Sequence, residues 1–174
     1  MVYARATTAI TAAAVGSAST LEAMAMYAAY GSNLDPRLMA ERAPYSPVRG
    51  AGWLHGWRLT FAGEERSLDG ALATIVEDVT ASVYVMVYDL TDLDSRALDT
   101  WEGADLSLYR RIHVRVAMAD GDLVTAWAYV MEDYEGGLPS GRYLHMIAAA
   151  AAYAGAPEDY VEGLLARPHQ RGEL

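Results

Sequence analysis

The segment Tyr30-Gly31-Ser32-Asn33-Leu34 combines a turn of small residues with side chains that form hydrogen bonds. Apolar and aromatic residues at 26–30 predict a strand, and Asp35-Pro36 predicts the N-cap and first residue of a helix. Gly31 is expected to take backbone angles that are closed to other residues. Such a strand, turn and helix start bring several backbone N–H groups together, which favours an anion or a developing oxyanion. An ordinary turn is the alternative interpretation.

Glu102 is the second candidate, because its position favours proton transfer. It lies four residues after Leu98 on the apolar face of a predicted helix, directly before Gly103, which predicts the helix end. Burial and the negative end of the helix dipole both raise the pKa of a carboxyl group, towards the range in which it exchanges protons. A glutamate that turns into solvent is the alternative, and Asp99 and Asp105 are expected to be such solvated residues.

The elements that position these two segments are short strands and helices. Strands are predicted at residues 26–30, 57–62, 71–76, 82–90, 110–118 and 123–131. Helices are predicted at residues 36–42, 91–103 and 140–153 and from Pro157 onwards. Proline and glycine at 44, 47, 50 and 52 indicate irregular or edge structure, and residues 77–81 are expected to separate two strands. This order, with a hairpin turn at 119–122 that needs no crossover, predicts an α+β fold with a largely antiparallel sheet.

Helical spacing also predicts which side chains of the helices face inward. On the first helix these are Leu38 and Met39, on the second Leu93, Ala97, Leu98 and Trp101, and on the last Tyr160, Val161, Leu164 and Leu165.

Several blocks of sequence between about residue 26 and residue 165, in order and with similar spacing, resemble the γ-glutamylcyclotransferase family. They are the segment 30–34, Gly70-Ala71-Leu72-Ala73-Thr74-Ile75, Leu98-Asp99-Thr100-Trp101-Glu102-Gly103 followed by Tyr109-Arg110-Arg111, and Asp133-Tyr134-Glu135 with Leu138-Pro139-Ser140, Tyr143-Leu144 and Gly155-Ala156-Pro157. The resemblance implies a small mixed or antiparallel β-barrel, closed or nearly closed, flanked by helices, with the site at its mouth. Residues 43–56 and 63–69 depart from the family, which leaves the acceptor group open.

The resemblance also implies an activity and the residues that carry it. The expected enzyme cleaves a γ-glutamyl amide by attack of the substrate's own α-amino group, releasing 5-oxoproline and an amine, with no cofactor. Glu102 is expected to be the general acid/base, and the substrate-binding residues are Tyr30, Gly31, Ser32, Asn33, Leu34, Tyr109 and Tyr143. Two alternatives stay open: a non-catalytic ligand-binding or interaction protein on the same barrel, or a cyclotransferase whose γ-glutamyl-capped amine is not an amino acid.

Composition limits the other classes of function. A chain of 174 residues, 53% hydrophobic and 21% charged, is expected to fold as one globular domain. Its net charge of −10 argues against binding to nucleic acid or an anionic membrane. The absence of cysteine excludes disulfides, thiol catalysis and thiolate metal sites and fits a cytoplasmic protein. We expect a monomer or homodimer that binds a small molecule.

Other polar residues of the chain could belong to the site. The four histidines, His55, His113, His145 and His169, lack the spacing of metal ligands, so no metal is expected. Ser32 lacks the surroundings of a hydrolase nucleophile and is expected to donate hydrogen bonds. For Arg110 and Arg111 two roles stay open, either surface pairs with aspartates or contact of one of them with a substrate carboxylate.

The expected division of the chain is a leader at residues 1–25, a γ-glutamylcyclotransferase-like domain at 26–167 and a polar tail at 168–174. The leader is rich in alanine, threonine and serine, and Arg5 is its only basic residue. A start-site extension without structure of its own is the favoured interpretation, and a targeting segment is the alternative.

Starting the chain at Met24 is therefore expected to leave the melting temperature unchanged, because nothing before Met26 has a pattern that packs. Calorimetry of the two chain lengths measures this. A decrease of several degrees in the shorter chain would show that the leader packs against the domain.

Overall fold

A computed structural model describes residues 25–63, 70–103 and 108–170, and its strands close into a barrel in the order β1-β3-β2-β4-β5. The strands are β1 (Ala25–Ala29), β2 (Val48–Ala62), β3 (Leu72–Leu90), β4 (Tyr109–Met118) and β5 (Leu123–Met131). Neighbouring strands are antiparallel except β1 and β5, which pair in parallel at Tyr27 and Trp127 and so close the barrel. The expected α+β fold with a small mixed barrel is confirmed.

Helices in the described residues flank the barrel: α1 (Pro36–Arg42), α2 (Asp92–Glu102), α3 (Gly141–Tyr153) and α4 (Glu158–Leu165). A 3-10 turn, Ser32–Leu34, joins β1 to α1. The predicted N-cap at Asp35 is present, and Thr91 and Ser140 cap α2 and α3 in the same way. The side chain of each of these residues accepts a hydrogen bond from a backbone N–H of the first turn. None of these described helices has the length and apolar character needed to cross a membrane.

Residues 44–47 lie outside the strands and helices, as predicted, but β2 begins at Val48, so the prediction of irregular or edge structure is wrong for residues 48–56. The glycines that suggested a loop permit a close approach between strands. A Cβ atom on Gly52 would lie 2.7 Å from the carbonyl oxygen of Ala117 and 2.7 Å from a methyl group of Val116 in β4. Gly52 therefore marks the place where β2 and β4 pack backbone to backbone.

The strand β3 is continuous from Leu72 to Leu90, so the predicted break at residues 77–81 is also wrong. The polar residues there mark a shift in pairing. His55 pairs with Ser82 and Trp57 with Glu77, which leaves residues 78–81 opposite the single residue Gly56. A bulge of this kind bends a strand without ending it. A bulge and a turn both contain polar residues, so the sequence alone does not distinguish them here.

The inward face of α2 differs from the prediction. Leu98 is fully buried, but Leu93 and Trp101 are 65% and 63% exposed and Ala97 is exposed as well. The buried stripe instead contains Asp94, whose carboxylate accepts hydrogen bonds from the backbone N–H of Tyr45 at 2.8 Å and the hydroxyl of Ser46 at 2.7 Å. With these hydrogen bonds the helix presents Asp94 to the barrel, and not Leu93 and Trp101, which hydrophobicity alone would place inward.

Other inward predictions have mixed outcomes. Met39 of α1 is buried and Leu38 is half-buried. On α4, Leu164 is buried, Tyr160 and Val161 are half-buried and pack against the core, and Leu165 is exposed. In the segment 63–69, which departs from the family, residues 64–69 lie outside the described residues.

Replacing Asp94 with alanine is expected to lower the free energy of unfolding by about 3 kcal/mol, because the buried hydroxyl of Ser46 and the partly buried N–H of Tyr45 lose their acceptor. Asp92→Ala in the same helical turn is the control. Asp92 is exposed, so its loss removes only a helix-dipole contribution of about 0.3–1 kcal/mol. Urea denaturation of both variants measures the difference, and equal effects would contradict a role for Asp94 in holding residues 45–46.

Candidate active site

A cavity with an empty volume of about 340 Å³, partly open to solvent, lies where β1 ends and β4 begins. Five of the lining side chains are tyrosines and one is a carboxylic acid. The lining consists of Tyr27, Tyr30, Gly31, Ser32, Asn33, Ala73, Glu102, Tyr109, Tyr129 and Tyr143. The tertiary structure therefore brings together the turn after β1, the end of α2 and the start of α3.

Seven of the eight residues expected at the site from the sequence line this cavity: Tyr30, Gly31, Ser32, Asn33, Glu102, Tyr109 and Tyr143. Leu34 does not. Its side chain is fully buried in the core, and its backbone N–H donates to the carbonyl oxygen of Gly31 at 3.0 Å. Leu34 thus fixes the 3-10 turn to the hydrophobic core.

A hydrogen bond between Asn33 and Glu102 joins the two segments. The Nδ2 atom of Asn33 donates to Oε1 of Glu102 at 2.7 Å and to the hydroxyl oxygen of Tyr27 at 2.9 Å. Asn33 is only 3% exposed, so its amide group has few alternatives to these partners. The bond holds the Glu102 carboxyl against the turn at the wall of the cavity.

Burial raises the pKa of the Glu102 carboxyl above its ordinary value. The hydrogen bond from Asn33 and the positive charge of Arg42 act in the opposite direction, since both favour the carboxylate. The net shift is upward, which brings the group closer to the pH range in which it can both accept and release a proton.

Arg42, in the last turn of α1, is a site residue that sequence reasoning missed. Its Nη1 atom donates to the hydroxyl of Ser32 at 3.2 Å and to Oδ1 of Asn33. Its guanidinium group also lies over the ring of Trp101, 4.4 Å from the centroid. Nothing local in the sequence marks this residue, because the contact depends on the way α1 folds back over the turn.

The tyrosines are held around Ala73 of β3. The hydroxyl of Tyr109 donates to the carbonyl oxygen of Ala73 at 2.9 Å, and the backbone N–H of Ala73 donates to the hydroxyl of Tyr143 at 3.2 Å. The hydroxyl of Tyr30 donates to the carbonyl oxygen of Tyr129. Burial raises the pKa of Tyr30 and Tyr109 far above the ordinary value, so both stay neutral hydrogen-bonding groups.

Besides Arg42, which does not line the cavity itself, three lining residues were missed from the sequence: Tyr27, Ala73 and Tyr129. Tyr27 packs against Trp127 and Tyr129 with ring centroids 4.7 and 5.7 Å apart, so it belongs both to the core and to the cavity. From the sequence alone, Tyr27 is interpreted as a core residue. Only the tertiary structure shows that part of its ring lines the cavity.

Asp99 is not the solvated residue that the sequence suggested. Its Oδ1 accepts hydrogen bonds from Nε of Arg111 at 2.9 Å and from the hydroxyl of Tyr129 at 2.7 Å. Arg110 pairs with Glu132 at 2.7 Å. Both arginines therefore pair with acidic side chains of the chain itself, the first of their two possible roles. Asp105 lies outside the described residues.

The backbone of Gly31 has φ −107° and ψ −136°, which lies outside the left-handed region and also outside the helical and extended regions. A Cβ atom at this position would meet the Cβ of Ala73 at 3.9 Å, an ordinary contact. The absent side chain instead leaves space in the cavity.

The arrangement is suited to proton transfer close to donors of hydrogen bonds. One carboxyl group with a raised pKa stands beside a turn whose first amides, those of Ser32 and Asn33, find no acceptor among the described residues. Within residues 25–63, 70–103 and 108–170, no group of three or more histidine, aspartate or glutamate side chains is placed to hold a metal ion.

Comparison with known proteins agrees with this geometry. The model of the AIG2-like family matches residues 82–164. The γ-glutamylcyclotransferase of Homo sapiens is 30% identical over 145 residues, which cover 81% of this chain and 77% of the human protein. The γ-glutamylcyclotransferase of Mus musculus is 29% identical over 145 residues, with the same coverage.

A solved structure of a γ-glutamyl cyclotransferase has the same fold. It superposes with a TM-score of 0.79 at 29% identity, covering 85% of this chain and 90% of the other. The similarity thus extends over nearly the whole barrel and its helices.

Gly31→Val is expected to weaken ligand binding while leaving the fold intact, because its methyl groups would enter the cavity beside Ala73. Overfilling of a packed site costs about 1–3 kcal/mol, or about one to two orders of magnitude in affinity. Calorimetric titration with a γ-glutamyl dipeptide, the ligand class that the sequence resemblance implies, measures the loss. Gly163→Val, at an open position on α4, is the control. Normal binding by Gly31→Val would show that this turn does not contact the ligand.

Proposed function

Since the chain belongs to the γ-glutamylcyclotransferase family of enzymes, we propose that it cleaves a γ-glutamyl amide by intramolecular attack and releases 5-oxoproline and a free amine. The observation that supports this proposal is the enclosed carboxyl of Glu102, bonded to Asn33 of the turn at 2.7 Å. A raised pKa and a cavity lined by neutral hydroxyl groups suit an acid/base that handles a polar small molecule.

In the first step, the Glu102 carboxylate removes a proton from the α-ammonium group of the substrate. The freed nitrogen attacks the γ-carbonyl carbon, a five-membered ring closes, and the carbonyl oxygen takes the negative charge. In the second step that intermediate collapses: Glu102 gives its proton to the departing nitrogen, the bond to that nitrogen breaks and the amine leaves. The Glu102 carboxylate then takes the extra proton from the ring nitrogen, which leaves the neutral amide of 5-oxoproline, and releases this proton to the amine or to solvent. Nucleophile and electrophile belong to one molecule, so the cavity has only to hold the substrate bent.

The turn stabilises the developing oxyanion in this proposal. The backbone N–H groups of Ser32 and Asn33, at the start of the 3-10 turn, are the available donors, whereas that of Leu34 is used within the turn. One such donor contributes about 3 kcal/mol of transition-state stabilisation in other enzymes.

Tyr109 and Tyr143 bind and orient the substrate. Both hydroxyls are anchored on the backbone of Ala73, so their rings have little freedom to move when the ligand enters. Preorganised groups of this kind lower the entropy lost on binding. For a purely ligand-binding protein, a carboxylate with an ordinary pKa would pair better with an ammonium group than a carboxyl group whose pKa is raised by burial.

Glu102→Gln is expected to lower the release of 5-oxoproline by about two to four powers of ten, the scale for loss of a general acid/base. Assays by mass spectrometry with a panel of γ-glutamyl amino acids and γ-glutamyl amines measure this. The panel also separates the acceptor classes. Glu162→Gln, an exposed glutamate on α4, is the matched control and is expected to keep full activity.

Glu102→Gln is also expected to melt at the same or a higher temperature than the wild type at pH 8. The folded pKa of Glu102 is raised, so the native state loses stability as the pH rises from the unfolded pKa through the folded pKa. Glutamine does not ionise and escapes this loss. Full activity in a folded Glu102→Gln variant would exclude the proposed mechanism.

A further inference from the structure

Arg42 makes an unusual set of contacts for an arginine on the surface of a barrel. Its guanidinium group donates to Ser32 and Asn33 of the turn and lies over the ring of Trp101, which directly precedes Glu102. Among the described residues it has no carboxylate within ion-pair distance, whereas Arg37 and Arg58 of the same chain do. Its partners are thus an amide oxygen, a hydroxyl and an aromatic face.

The contact with Asn33 determines which end of that amide group faces Glu102. A guanidinium group has N–H donors and no acceptor, so the atom of Asn33 that faces Arg42 must be the carbonyl oxygen Oδ1. The opposite atom, Nδ2, is then directed at Glu102 and at the hydroxyl of Tyr27, 2.7 and 2.9 Å away. Both N–H bonds of Asn33 are used in this orientation.

A reversed amide would have the opposite effect on Glu102. With Oδ1 towards the carboxyl, only the protonated acid could make the hydrogen bond, because two oxygen acceptors need a proton between them. The carboxylate, which has to accept the first proton of the reaction, would then lose its donor. The orientation of one side-chain amide therefore favours either the base or the acid form of Glu102.

We propose that Arg42 is a positioning residue that locks the Asn33 side chain with its N–H groups towards Glu102, and so keeps Glu102 available as a base. This inference rests on the proposed function, in which Glu102 takes a proton from the substrate. Arg42 itself does not line the cavity and acts through Asn33 and through its charge.

Arg42 is the cation that acts on Glu102 among the groups packed around it. Tyr27 from β1, Tyr30 after it and Tyr109 from β4 also interact with the Glu102 charge, but burial keeps these hydroxyls neutral. Tyr129 from β5 and Tyr143 from α3 complete the wall. Loss of the arginine removes the contact that orients Asn33. It also removes the positive charge that, within the described part of the chain, favours the carboxylate form of Glu102.

The test is the pH profile of kcat/KM for 5-oxoproline release by the full chain. In R42M, which keeps an unbranched side chain over Trp101, the acid limb is expected to move up by about one pH unit, the lower end of the effect of an opposite charge at short range. Activity below the limb then falls about tenfold, and activity on the alkaline plateau stays close to the wild type. R42K, which keeps a charged donor without an acceptor, is expected to restore most of the wild-type profile.

R96M is the matched control, since Arg96 is exposed on α2 and makes no ion pair with the described residues. Its acid limb is expected at the wild-type pH. If R42M does not fold, R42Q replaces it, because glutamine can accept as well as donate and cannot lock the amide. A uniform loss of activity at all pH values, with the limb unmoved, would reduce Arg42 to a structural residue and overturn the inference.

A second measurement separates this inference from the proposed function. The difference in melting temperature between E102Q and the wild type is followed from pH 4 to pH 9, and the same difference is followed in the R42M background. A higher folded pKa of Glu102 extends to higher pH the range over which the protein with Glu102 loses stability relative to E102Q. In the R42M background, the difference in melting temperature is therefore expected to stop increasing at a higher pH. Identical curves in the two backgrounds would overturn the role of Arg42, whether or not the protein releases 5-oxoproline. Absence of 5-oxoproline release would by itself reject only the proposed function.

Discussion

The hydrogen bond between Asn33 and Glu102 is the contact on which the site depends. A carboxyl group at the wall of a partly open cavity loses part of its hydration, and an uncompensated loss of this kind is costly. Asn33 offsets part of the cost by donating an N–H group at 2.7 Å, while the residual desolvation keeps the pKa raised. The same bond connects the turn after β1 with the end of α2, so the chemistry and the packing of two distant segments share one interaction.

The barrel supplies the rigidity that this bond requires. β1 pairs with β3 on one side and with β5 on the other, so the turn that follows it starts from a strand held on both edges. Tyr109 and Tyr143 are tied to the backbone of Ala73, and Tyr30 is tied to the backbone of Tyr129. Each tyrosine is therefore oriented by a strand rather than by a loop.

The orientation of α2 results from polar contacts as much as from hydrophobic burial. Asp94 holds the segment before β2, Leu98 enters the core and Glu102 reaches the cavity, at intervals of four residues. Residues with this spacing lie on one face of a helix. Asp99, on the neighbouring face, binds Arg111 and Tyr129 and fastens the helix to β4 and β5.

The sequence by itself determined the local features: the strand, turn and helix start around Asn33, the caps of the helices, the hairpin of β4 and β5, and the position of Glu102 beside Leu98. These features depend on residues close together in the chain, and the conformational preferences of each segment predict them without knowledge of the other segments. Only the tertiary structure decided that Gly52 lies against β4, that Asp94 replaces Leu93 on the inner face, and that Arg42 reaches Asn33. Those contacts join segments whose separation in space follows from closing the barrel, and a packed interior permits only one such arrangement.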